Sequence, residues 1–69
     1  MKMTQDERQV LRNYADHIAH LVVRNPHLLK YRVLSLGIAA LADDPEASLE
    51  EYNLALGLIA FTLELMNRN

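Results

Sequence analysis

A chain of 69 residues, 51% apolar and 23% charged, with neither cysteine nor tryptophan, has room for one small core and no disulfide to tie it. The missing cysteines also exclude Cys-based zinc folds and thiol catalysis, and a net charge of −2 argues against a dedicated nucleic-acid binder. A fold this short buries only about 60% of the surface of its unfolded chain, so association is the expected source of further stability.

Taken in chain order, the residues predict an all-α single domain over 1–69 with helices at about 4–24, 26–42 and 48–67. Thr4-Gln5-Asp6-Glu7 reads as a capping box that starts helix 1, and Asn25-Pro26 ends it. Pro26 suits the first helical position and opens helix 2, which Asp43-Asp44-Pro45 breaks. Ser48-Leu49-Glu50-Glu51 supplies a second capping box for helix 3, with Asp44-Pro45 as a rival start.

Helix 1 is amphipathic, with a core stripe of Leu11, Tyr14, Ile18 and Leu21 opposite Arg12, Asn13, Asp16, His17, His20 and Arg24. Helix 2 places Tyr31, Leu34, Ile38 and Leu41 on one side and Leu29, Val33, Leu36 and Ala40 on the other. Helix 3 carries an a/d seam through Leu49, Tyr52, Leu56, Ile59, Leu63 and Met66, and a second apolar series, Leu54, Leu58, Phe61 and Leu65, on nearly the opposite side. Two helices that are apolar nearly all round cannot both be covered by one more helix. The doubled stripes therefore predict a homodimer that buries Leu54, Leu58, Phe61, Leu65, Val33 and Leu36 against a second copy. Gly37 and Gly57, costly in mid-helix, are expected where helices cross closely.

The charges are unevenly spread. Residues 1–34 carry Lys2, Arg8, Arg12, Arg24, Lys30 and Arg32 against Asp6, Glu7 and Asp16, a sum of +3, whereas residues 35–69 sum to −5. No metal site is expected, because Asp16, His17 and His20 do not share one direction on a helix. Ser48 and Thr4 are accounted for as caps and no glycine-rich elbow or phosphate loop is present, so neither catalytic residues nor a cofactor is expected and the chain is read as a non-enzyme. A charged start and no long apolar run lead to the expectation of a cytoplasmic protein with no membrane partner.

The layout resembles one known group. A capped first helix, a second helix opening near Lys30 with Val33-Leu34-Ser35-Leu36 and closing at Leu41, an acidic linker, and a third helix with Tyr52, Leu56, Leu58 and Ile59 are similar to the AriR/YmgB family over about residues 7–64. That resemblance implies a small three-helix homodimer acting as a bacterial connector in signalling and biofilm regulation. It carries over no functional residue.

Together these readings point to a non-enzymatic regulator that binds and modulates another protein as a homodimer. A signalling component or a transcription factor is the expected kind of partner, and an inhibitor made by a phage or mobile element is a close variant. The expected partner surface is Arg12, Asp16, His20, Arg24, Lys30, Tyr31 and Arg32. The alternative is a DNA-binding repressor in which helix 2 enters a groove with His27, Lys30, Tyr31 and Arg32.

Overall fold

The computed structural model describes residues 1–68 and is all-helical: α1 (Gln5–Arg24), a 3₁₀ turn (Pro26–Tyr31), α2 (Arg32–Asp43) and α3 (Leu49–Asn67). Side-chain caps set two of the starts. The Thr4 hydroxyl accepts from the Glu7 amide at 3.2 Å while the Glu7 carboxylate accepts from the Thr4 amide at 2.8 Å. Ser48 and Glu51 repeat the exchange, both bonds at 3.1 Å. The rival start at Asp44 is a turn instead, its carboxylate accepting from the Glu46 amide at 2.9 Å.

The second element departs from expectation, since residues 26–31 form a 3₁₀ turn and not the first turns of an α-helix. In that tighter winding, residues three apart eclipse one another, so Leu28 and Tyr31 project the same way. Leu28 is thereby buried and Tyr31 half-buried against the same core, in line with each other where an α-helix would set them about 60° apart. Asn25 makes the corner: its backbone amide bonds to the Leu21 and Val22 carbonyls and its side-chain amide donates to Leu21 at 3.0 Å.

Packing is organised around α1, whose buried stripe is Arg8, Leu11, Ala15, Ile18 and Val22. α2 lies closest to it, brought in by the small buried residues Ser35 and Ala42, and contributes Ile38. The Ser35 hydroxyl is satisfied within its own helix, donating to the Arg32 carbonyl at 2.8 Å. On α3 the buried line runs Ala55, Ile59, Thr62 and Met66, with Tyr52, Leu56 and Leu63 half-buried at its edge. The seam expected through Leu49, Tyr52 and Leu56 is therefore a flank, turned by less than half a turn from the true centre. Tyr14 shifts in the same sense, from an expected core position to the mouth of the α1–α3 cleft, where it is exposed.

Two features outside the helices close the base of the molecule. Met1–Met3 runs antiparallel to Ala47–Leu49, the Met3 amide donating to Ala47 at 3.1 Å and the Leu49 amide to Met1 at 2.8 Å, which buries Met3 and Ala47. Arg8 is the second. Only 8% exposed, it donates through Nη1 to the carbonyls of Ala42 at 3.0 Å and Asp44 at 2.6 Å, so a cation on α1 holds the C-terminal end of α2. Arg8→Met keeps the apolar stem and removes the donor, leaving the Ala42 carbonyl buried without that partner. The expected loss in urea denaturation is about 1–3 kcal/mol, against a change within about 0.5 kcal/mol for Lys2→Gln, whose 3.2 Å pair with Glu46 is solvent-exposed.

Candidate functional site

The most unusual surface is apolar. On α2, Val33, Leu36, Gly37 and Ala40 form an outward face without a charge, and Val33 is 77% exposed. On α3, Leu54, Leu58 and Phe61 are exposed, Leu54 by 75%, and Leu65 is half-buried beside them. All six residues expected at a dimer interface thus lie off the core of the single chain. By helix angle the exposed side of α3 adjoins the α2–α3 seam, whereas on α2 Val33 and Ala40 face straight outward and Leu36 lines the groove between α1 and α2. Ser35 and Ala39 share a groove with Ala15 and Ala19 of α1, so Leu34 and Leu41 occupy the flank of α2 turned to α3. Leu56 and Leu63 line the cleft with Tyr14 of α1, so Ala55 and Thr62 are the flank of α3 turned to α2. Gly37 continues outward from the first flank and Leu58 from the second, at about 100° per residue.

The glycines do not mark crossings within the chain. A β-carbon added at Gly37 or at Gly57 meets nothing within 4 Å, so neither is required by intrachain packing. Both instead lie among the exposed apolar side chains, Gly37 beside Val33 and Leu36 and Gly57 beside Leu54, Leu58 and Phe61.

The seven residues expected at a partner surface are not brought into one patch. Arg12, Asp16 and Arg32 line the groove between α1 and α2, where Arg12 pairs with Asp43 at 3.1 Å and Arg32 donates to Ser35 Oγ at 2.9 Å. His20 turns back on its own helix, Nδ1 lying 2.8 Å from the Asp16 carbonyl oxygen and 3.5 Å from its carboxylate. Arg24 shares a shallow depression with His20, and Lys30 sits 5.5 Å from the centre of the Tyr31 ring. Among the described residues no group of three or more His, Asp or Glu side chains is placed to hold a metal ion.

A second apolar feature went unread in the sequence. Val23, 80% exposed, and Leu29, 65% exposed, border a pocket at the corner between α1 and the 3₁₀ turn, together with Ala19, Val22, Pro26 and Arg32. Its signal was available: Val23 adds one apolar residue past Val22, out of step with the core stripe.

Comparison with protein-family models, with curated proteins and with solved structures finds no match to this chain. No helix among the described residues is long and apolar enough to cross a membrane.

Since both glycines sit in open, helical positions, alanine there removes backbone freedom from the unfolded chain at no steric cost. Gly37→Ala and Gly57→Ala are each expected to raise unfolding stability by about 0.5–1 kcal/mol, measured by thermal melts dilute enough to keep the chain monomeric.

Proposed function

We propose that this chain is a non-enzymatic protein-binding regulator that works as a homodimer, a second copy covering the outer faces of α2 and α3. The observation that carries the reading is the exposure of five large apolar side chains on the outer faces of α2 and α3: Val33, Leu36, Leu54, Leu58 and Phe61. Large apolar side chains gain about 1.5–3 kcal/mol each on burial, equivalent to roughly 60–120 Å² apiece. Since five of the six expected at the interface are about half to three-quarters exposed and Leu65 is half-buried, they offer a few hundred Å² per copy, about half of the roughly 800 Å² per partner of a standard interface, the rest falling to the residues around them. Contiguous apolar surface beyond a few hundred Å² is uncommon on a monomer and marks an interaction surface. Gly37 and Gly57 fit the same assembly, because a helix without side chains at those points lets a symmetry mate approach closely.

In this reading the dimer leaves the polar face of α1 and the 3₁₀ turn for the regulated protein. A connector role of the kind the AriR/YmgB resemblance implies, and a host-directed inhibitor from a phage or mobile element, are both uses of such a build. The DNA-binding alternative draws less support: of His27, Lys30, Tyr31 and Arg32, only Arg32 belongs to the α-helix that would enter a groove, the others lying in the 3₁₀ turn.

Sedimentation velocity tests the assembly. The wild-type chain is expected to run as a dimer at micromolar concentration, and Leu58→Glu with Phe61→Glu as a monomer whose helical circular dichroism is unchanged. A wild-type monomer at roughly 100 μM would overturn the reading.

A further inference from the structure

We propose that the end of the molecule formed by the close of α1, the 3₁₀ turn and the first turn of α2 docks an acidic helical segment of another protein, one that also presents an apolar side chain. This deepens the protein-binding reading but rests on residues outside the dimer faces. From His17 through Ala42 the chain contains no aspartate or glutamate, while it places Arg24, Lys30 and Arg32 there with all three histidines.

The structure sharpens that bias. Everywhere else a cation is engaged by an anion or by carbonyl oxygens: Lys2 by Glu46, Arg12 by Asp43, Arg68 by Glu64, and Arg8 by Ala42 and Asp44. Arg24, Lys30 and Arg32 make no ion pair with a carboxylate and no bond to a carbonyl among the described residues, Arg32 donating only to the Ser35 hydroxyl. The acidic groups lie largely at the opposite end, Asp43, Asp44, Glu46, Glu50 and Glu51 clustering around the α2–α3 loop along a molecule 37 Å long. Like charges gathered at one end repel, and only an outside anion relieves them.

Within this stretch lies a pocket of about 380 Å³ bordered by Ala19, Val22, Val23, Pro26 and Leu29, and of the three cations Arg32 is the one that lines it. Its composition selects the occupant. A nucleic-acid backbone would satisfy the cations but has no apolar group for the cavity. An anionic lipid surface would accept Val23 and Leu29, which are 80% and 65% exposed, but would leave the concavity they border unfilled. A helix with glutamates at i and i+4 around a leucine answers both features, its leucine entering the pocket and its carboxylates meeting Arg24, Lys30 and Arg32. The chain's own Glu50, Glu51 and Leu54 share this chemistry, but a copy docked end to end in that way leaves both ends unfilled and grows without closure.

The probe is a fluorescein-labelled, helix-forming peptide with a Glu-Leu-Glu face, titrated with the intact chain by fluorescence anisotropy. Saturable binding is expected, weakening about tenfold in Arg24→Glu with Lys30→Glu, and similarly in Leu29→Ser, which leaves every charge in place. Lys2→Gln is expected to bind as wild type, and so is Leu58→Glu with Phe61→Glu, which separates this site from the dimer. Circular dichroism verifies that each variant is folded. No saturable binding by the wild type, or binding that survives loss of Leu29, overturns the proposal. So does tight binding of duplex DNA or phosphatidylserine vesicles that needs the cations but not Leu29. If the Arg24 and Lys30 reversals instead abolish self-association, the occupant is a second copy and the proposal falls.

Discussion

Everything in this fold depends on one apolar stripe having to serve two partners. Leu11, Ala15, Ile18 and Val22 line a single side of α1, and both α2 and α3 are laid against it. One helix offers little more than a third of its circumference as a buried face, so each partner can hide only the flank turned toward α1 and the neighbouring seam. The remaining apolar residues of α2 and α3 have no intrachain destination. Their exposure follows from helix count and not from poor packing, since the core itself contains completely buried Leu11 and Ile18 and no unsatisfied buried polar side chain among the described residues.

The division of labour around α1 is set by side-chain size. Ala15, Ala42 and Ser35 let α2 come close, and that closeness brings the Arg8 guanidinium within reach of carbonyls that α2 can no longer satisfy internally. α3 meets α1 through bulkier residues, Ile59 and Met66, and stands farther off. Its start is anchored instead by the bridge between Met1–Met3 and Ala47–Leu49. A polar tie at one corner and a backbone tie at the other hold the α2–α3 loop.

Much of this was legible in the residues. The two capping boxes, the Asn25-Pro26 corner and the doubled stripes each rest on local rules that tertiary structure did not override. The misses have definite causes. Spacing back from Tyr31 and Leu34 is compatible with an inward Leu28 but says nothing of the 3₁₀ winding that holds it there. Hydrophobicity ranks Leu above Ala and Thr, so the buried line of α3 was drawn through Tyr52 and Leu56 when small residues, Ala55 and Thr62, occupy its centre. Nothing local to Arg8 shows that two carbonyls from 34 and 36 residues away converge on it. Helical spacing says which residues share a side of one helix, but not that Arg12, Asp16 and Arg32 line one groove between α1 and α2.

The separation of the basic end from the apolar flank has a geometric consequence. A rod 37 Å long and about 17 Å wide that docks by its end and pairs by its side leaves each contact free while the other is made. Two paired copies are then bivalent, and a second docking event becomes intramolecular at a distance that the pairing itself sets. Side-by-side copies would hold two bound segments as neighbours, whereas copies paired in opposite directions would hold them apart by about the length of the rod. In the proposed dimer, how the flanks align would decide whether the pair clamps one target twice or bridges two.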